Sequence, residues 1–399
     1  MPHDIQFSPL CNELAAKARE IADKHVRPLA AKYDKLQEYN YEAAKAVAAA
    51  GLFKTFIPKE YGGSGAGLLA LARVTEELAK ADSGFGVAFA VNALGSFPIL
   101  VGGTEAQKQR WLPSVARGEK LVAFCLSEKF AGSDASGLAV RAVEDGDHYV
   151  ITGEKKWTTN GGVADIYSVF CVTDPNSKSR RISAIVVEKG TPGFTVKKVE
   201  NKMGIRCVPV VETHFDNVRV PKANLIGERP GMGFKHAMQT LDLANVYANR
   251  RQQFGVPISN HQMVQKMLAD MAMKTDAARW LVYAAAAGVE SGSPGTSKMA
   301  AMAKCFATDV AMEVATDAVQ VVGGYGFMED YPIAKFFRDA KILQIYEGTN
   351  QIQRMVIARH LIKEVAELEH LQAYIPQETQ QTYSGSPITQ TRSTAGSAS

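Results

Sequence analysis

IYSVFCVTDPNSKSRRISAIVVEKG, residues 166–190, decides the fold class. It holds two short runs rich in β-branched and aromatic residues, separated by a turn-forming Asp-Pro-Asn cluster. Neither run is long enough for a typical helix, and both read as strands. Similar runs lie on either side: DHYVITG (147–153), GFTVKKV (193–199) and VETHFDNVRVP (211–221). Gly, Asp, Asn and Pro punctuate them, which predicts a meander or small barrel from about Leu121 to about residue 230. Outside this block the apolar periodicity is helical. Ser8 and Pro9 read as N-cap and first helical residue, with Leu10, Leu14, Ile21 and Val26 on one face. YEAAKAVAAAG, closed by Gly51, ARVTEELAKAD and TEAQKQRWLPSVARG predict further helices. Helical periodicity returns at GFKHAMQTLD and continues to about residue 370. The expected class is α+β: an N-terminal helical domain (1–118), a middle β-domain (119–232), a C-terminal helical domain (233–370) and a tail (371–399). The tail is rich in Ser, Thr, Gln and Gly, and this composition predicts disorder.

The bulk properties exclude several functions. The chain has 399 residues, 46% hydrophobic and 22% charged, with a net charge of +4. That balance argues against nucleic-acid binding. The five cysteines form no CxxC pair and read as free thiols of a reducing compartment. No apolar run approaches the length of a membrane span, and MPHDIQFSPLCNEL lacks the features of a signal peptide, so the expected location is the cytoplasm. YGGSGAG (61–67) is not followed by the Lys-Ser/Thr of a P-loop, and GGYGF (323–327) lacks Rossmann spacing. No metal-ligand spacing and no GxSxG elbow occurs.

Three segments carry candidate chemistry. FCLSEKFAGSD (124–134) gathers hydroxyls and carboxylates where the helical part meets the β part; on composition alone a surface turn is as good a reading. GEKKWTTNGG (153–162) ends a strand with Trp157 beside two threonines. A core tryptophan is the usual explanation, but an aromatic plane beside hydroxyls also suits a flat heterocycle. QIYEGTNQIQR (344–354) places the lone carboxylate Glu347 before a helix that Thr349 or Asn350 caps, with Ile352, Met355, Ala358, Ile362 and Val365 at helical spacing. Glu347 either complements the helix dipole or acts as a base, and Gly348 lets the backbone turn or approach something closely.

Together these segments resemble the acyl-CoA dehydrogenase family. IPKEYGGSG, SEKFAGSD, GEKKWTTNG, RRQQFGVPI, QVVGGYGF and RDAKILQIYEGTNQIQR occur in the family's order across residues 8–370. The resemblance implies a helical domain, a β-domain and a four-helix bundle, with FAD as cofactor. It further implies a homotetramer, electron-transferring flavoprotein as acceptor, no membrane insertion, and a place in fatty acid or carboxylic acid degradation. The implied reaction is α,β-dehydrogenation of an acyl-CoA thioester: Glu347 removes the α-proton and the β-hydride goes to flavin N5. The amide of Glu347 would be one donor to the thioester carbonyl, with Gly348 allowing close approach and Tyr346, Ser133 and Asp242 on the substrate side. Trp157, Thr159, Phe124, Leu126 and Ser127 would surround the isoalloxazine. Arg251, Gln253 and Phe254 would reach the FAD of a neighbouring subunit, with Gln320, Gly323 and Gly324 at its adenosine half. Thr349 and Gln351 would touch the subunit's own FAD.

Two positions depart from the family pattern. Lys129 replaces its proline after Glu128. About twenty family residues are missing between Asp242 and Leu243, about 30 Å of helix, so the first bundle helix is expected to be shortened. This loss makes an impaired flavoprotein one alternative; an oxidase-like enzyme that lets oxygen reach the reduced flavin is another. The segment FGVAFAVNALGSFP is expected to line the acyl cavity, and it carries no Arg or Lys to pair with a second carboxylate.

Overall fold

The computed structural model describes residues 7–177, 180–227, 230, 252–253, 256–257 and 262–365. Asp242, Arg251, Phe254, the junction at 242–243 and the tail from 371 lie outside the described residues, and so does the side chain of Gln253.

The N-terminal helices form where the periodicity places them. Helix α1 (Pro9–Ile21) starts with Ser8 accepting a hydrogen bond from the Cys11 amide at 3.1 Å. Helices α2 (Ala30–Leu36), α3 (Tyr41–Ala49), α4 (Gly67–Ala79), α5 (Ser83–Gly102) and α6 (Glu105–Ala116) follow. Thr104 and Gln107 close a capping box at the start of α6. Helix α5 corrects one expectation from the sequence: its 20 residues are long and apolar enough to cross a membrane. The helix is mostly buried, and Asn92 within it accepts a hydrogen bond from the Val122 amide at 2.9 Å, so it serves as a core helix.

The β-domain has seven strands: β1 (Val122–Cys125), β2 (Arg141–Asp145), β3 (His148–Thr159), β4 (Ile166–Val172), β5 (Ile182–Glu188), β6 (Phe194–Val199) and β7 (Val210–Pro221). Their order is β1-β4-β2-β3-β7-β6, with β5 pairing β4. This is no simple meander. Strand β4 pairs β1 in parallel and touches β2 in parallel through Arg141 and Val172. The alternation of β4 and β5 explains that central place. Ile166, Phe170, Val172, Ile182, Ala184 and Val186 pack into the core shared with the N-terminal helices. Tyr167, Val169, Cys171, Ile185 and Val187 fill a second core with Tyr149, Ile151, Phe215 and Val218. Both faces are covered, so both runs read as continuously apolar.

A two-residue ladder (Gln252–Gln253 with Val256–Pro257) precedes the C-terminal helices α7 (Gln262–Glu290), α8 (Thr296–Val322), α9 (Pro332–Leu343) and α10 (Asn350–Val365). Met271 and Val282 of α7, Val310 and Val314 of α8 and Ile333 of α9 form a core shared by those three helices. Helix α7 also joins α4: Arg279 donates to Glu76 at 2.8 Å, and the Tyr283 hydroxyl donates to the same carboxylate.

Candidate functional site

A cavity of about 150 Å³ opens among α4, α5, α7 and α8. Its wall is apolar, with Leu68, Val87, Ala90, Leu94, Phe97 and Ala285 among the lining residues. The segment expected to form it, Phe85–Pro98, contributes Val87, Ala90, Val91, Ala93, Leu94 and Phe97. The lining also includes Thr159 of β3 and, from the turn after α9, Tyr346 and Glu347.

Glu347 has φ 53° and Gly348 φ 84°. A left-handed backbone is costly for a glutamate and persists where surroundings over-determine it. Here the surroundings are a set of polar contacts below the turn. Lys304 of α8 is buried and donates to Asn350 Oδ1 at 2.8 Å; Asn350 in turn donates to Asp309 at 2.8 Å. Gln344 and Arg354 donate to the same aspartate at 2.6 and 2.7 Å. Gln353 reaches back to the Glu347 carbonyl at 3.0 Å. Thr349 caps α10 by accepting from the Ile352 amide at 3.3 Å, which decides between the two capping candidates. A β-carbon on Gly348 would lie 2.8 Å from Gln353 Nε2, so the close approach expected there is made to a side chain of α10.

Glu347 faces the cavity rather than capping a helix. Burial pushes its carboxyl up to about 7, against the charge of Lys304, which lowers it. A carboxyl poised there can take and return a proton near neutral pH. Removing the ammonium by Lys304→Met should move the ascending limb of the pH–activity profile to higher pH, because the lost charge favoured the carboxylate. A limb that stays in place or moves down would contradict this.

The second element of the site is Trp157. Between Lys155 and Thr158 the pairing of β3 with β7 shifts register, and Trp157 sits in that bulge with φ 58°. Its side chain is 55% exposed, so the core explanation does not hold. The residues that follow it are anchored: Thr158 is buried against Cys125, and Asn160 donates to the Ala88 carbonyl of α5 at 2.8 Å. Phe124 lies on β1, Leu126 and Ser127 directly after it, and the Ser127 carbonyl accepts from the Lys156 amide at 2.9 Å. Phe124, Leu126 and Ser127 are half-buried beside the end of β3. An exposed indole on a fixed bulge, with Thr159 two residues on and Ser127 tied to Lys156 by a backbone hydrogen bond, fits the face and edge of a flavin.

Lys155 and Glu128 were not singled out from the sequence. Lys155 is fully buried and donates to Glu128 at 2.6 Å and to the Leu126 carbonyl at 2.9 Å. Glu128 also accepts from the amides of Ala139 and Val140 at 2.7 and 3.1 Å. This pair fixes the 126–140 loop to β3. Ser133 and the neighbouring Phe130 project from that loop and are exposed. Gln320, Gly323 and Gly324 lie away from the cavity lining, exposed at the end of α8, and Gln351 is exposed on α10.

Residues 9–119, 123–218 and 218–362 match the N-terminal, middle and C-terminal domains of acyl-CoA dehydrogenase. The chain belongs to the acyl-CoA dehydrogenase family. It is 45% identical over 371 residues to the probable acyl-CoA dehydrogenase fadE25 of Mycobacterium leprae, covering 88% of this chain and 95% of that one. Its fold is similar to butyryl-CoA dehydrogenase from Megasphaera elsdenii, with a TM-score of 0.84, 38% identity, and 90% and 100% of the two chains covered. It is also similar to a chain from the structure of the electron transferring flavoprotein of Acidaminococcus fermentans, with a TM-score of 0.85 and 41% identity over 90% and 99% of the chains. The α+β architecture expected from the sequence is thus that of an FAD-dependent acyl-CoA dehydrogenase, an oxidoreductase acting on acyl-CoA thioesters.

Proposed function

We propose that in this acyl-CoA dehydrogenase Glu347 is the base that removes the α-proton, and that the acyl group lies in the cavity which ends at its carboxyl. The observation that carries this is a single one: a carboxyl held on a left-handed turn at the cavity wall, with burial pushing it up to about 7. Below that value it is protonated and inert as a base; above it the carboxylate is available, so kcat/KM should climb through about 7 to a plateau. FAD, when bound, supplies the acceptor for the β-hydride. Trp157 offers the face for its ring system, and Phe124, Leu126, Ser127 and Thr159 line the edge. Trp157→Ala should weaken FAD retention by about tenfold, the worth of one good aromatic contact, read as flavin lost on dilution of the holoprotein. Retention equal to wild type would remove Trp157 from the site.

The amide of Glu347, next to Gly348 and Tyr346, donates to the thioester carbonyl in this reading, and Ser133 meets the CoA arm from its exposed loop. Thr349 and Gln351 serve the subunit's own FAD. Gln320, Gly323 and Gly324, exposed at the end of α8, meet the FAD of a neighbouring copy together with Arg251, Gln253 and Phe254. That assignment goes with a homotetramer, which the exposed Trp280 of α7, Phe306 of α8, and Tyr325 and Phe327 just after α8 support. The acceptor is an electron-transferring flavoprotein, and the location is the cytoplasm, in keeping with five free, buried cysteines. Among the described residues the cavity lining includes no Lys or Arg, which favours acyl groups without a second carboxylate. The loss of about twenty family residues between Asp242 and Leu243, which lie outside the described residues, belongs to the same reading. The alignment to the mycobacterial relative spans 371 residues but 88% of the 399 here, or about 351, which leaves about twenty unmatched.

The test is the visible spectrum of the purified holoprotein mixed without oxygen with a panel of acyl-CoAs. A flavin band that bleaches with one or more thioesters supports the reading. A flavin that no thioester reduces overturns it.

A further inference from the structure

One buried ionic cluster ties three walls of the cavity together, and no step of the reaction uses it. Lys335 of α9 lies between two carboxylates, 2.8 Å from Asp82 and 2.6 Å from Asp339, and all three residues are buried. Asp82 caps α5 by accepting from the amides of Gly84 and Phe85 at 2.8 and 3.2 Å. Asp339 accepts from the Ser83 hydroxyl and from the Ile205 amide, both at 2.5 Å. Ser83, Ile205 and Leu343, the last residue of α9, all line the cavity.

Ile205 shows that this hold is specific. Its φ is 45°, a backbone that a β-branched residue rarely adopts, and it is buried. Something must keep it there. Its amide is held by Asp339, and the preceding segment is pressed onto α9: a β-carbon on Gly204 would lie 2.5 Å from the Arg338 carbonyl oxygen. Arg338 donates to the Met203 carbonyl at 2.7 Å from the same helix. The Cys207 thiol lies 3.7 Å from Asp82, which closes the cluster from the other side.

We propose that Asp339, fixed by Lys335, is a positioning residue that sets which acyl groups the site accepts, by holding Ile205 and Ser83 in the cavity wall. A carboxylate without its lysine would turn toward other partners, and a lysine without its carboxylates would be a buried unpaired charge. The cluster therefore keeps α5, α9 and the 203–207 segment in one arrangement, and the strained isoleucine is the part that meets the substrate. This inference rests on assigning the cavity to the acyl group.

The test compares kcat and KM of wild-type and Asp339→Asn holoprotein over straight-chain and branched acyl-CoAs. With the wall released, KM for the acyl groups that reach Ile205 should rise by about tenfold relative to the shortest thioester, whose kcat should stay within about twofold. A purely structural role would lower flavin content and slow every thioester alike, and that result would overturn the proposal. Should D339N fail to accumulate, Ser83→Ala leaves the charges paired and removes one wall contact. A changed KM ratio there, expected at about threefold, supports the proposal, and an unchanged ratio overturns it. Ala90→Phe separates the two claims. If it leaves acyl preference unchanged, the cavity assignment fails and the proposal with it. If it shifts preference while D339N does not, the assignment stands and the positioning role is overturned.

Discussion

Replacing Glu347 by Gln lowers turnover of acyl-CoA by roughly 10²–10⁴-fold while FAD stays bound, the range expected when a positioned general base is lost. The amide keeps the size and shape of the side chain but cannot take a proton. Its neighbours require no change, because the hydrogen bonds that hold the turn run through Asn350, Asp309 and the Glu347 carbonyl rather than through its carboxylate. The stability consequence has a definite sign. Folded Glu347 has a carboxyl raised to about 7 from an ordinary value of 4.5, so ionisation is unfavourable in the folded state and its cost to stability appears as pH rises above 4.5. E347Q, with nothing to ionise, should therefore melt at a higher temperature than wild type at pH 8 and at a similar temperature at pH 4. Loss of activity with loss of flavin, or a lower melting temperature at pH 8, would mean that Glu347 holds the structure rather than the proton.

Glu128→Ala has the largest expected effect on stability. It leaves Lys155 fully buried with the Leu126 carbonyl as its remaining hydrogen-bond partner, and strips two amides of their acceptor. Breaking a buried ion pair by removing one member costs about 3–5 kcal/mol, comparable to a large part of a domain's margin. Because Glu128 anchors the loop that follows Phe124, Leu126 and Ser127, the flavin should be lost in the same step. Removing both charges, in the Glu128→Leu, Lys155→Met double variant, should recover much of the loss, since an apolar pair carries no unmatched charge. Chemical denaturation of the three proteins measures this. A single variant as stable as wild type, or a double variant no better than the single, would contradict the account.

The outline of the fold was legible because each element carries its own period: the apolar runs of β4 and β5, the capping of α1, the helical spacing of α10. The order of the strands was not, because the parallel pairing of β4 with β1 depends on which core each face meets. Glu347 and Trp157 were legible as candidates, each with a bland alternative. What separates the readings is backbone conformation: φ 53° at Glu347 and a bulge at Trp157 aim both side chains away from the places a cap or a core residue would occupy. Neither angle is written in a local residue pattern. Lys155 and Glu128 lie 27 residues apart, and Lys335 and Asp82 lie 253 apart. In the sequence such charges look like any solvated ones, and their pairing exists only after the helices and the sheet have packed. The length of the apolar helix α5 was not legible, because Gly, Asn, Ser and Pro interrupt its apolar residues, yet the helix runs unbroken for 20 residues.

The central claim is that Glu347 removes the α-proton of an acyl-CoA lying in the cavity. The most direct measurement is deuterium incorporation at the α-carbon when excess acyl-CoA is incubated with the holoprotein in D₂O without oxygen or an electron acceptor. The account predicts α-deuteration by the wild-type protein at pH 8, a slower rate at pH 6, and none above background with E347Q. Equal deuteration by wild type and E347Q would contradict it, and so would none by either protein while the flavin is being reduced.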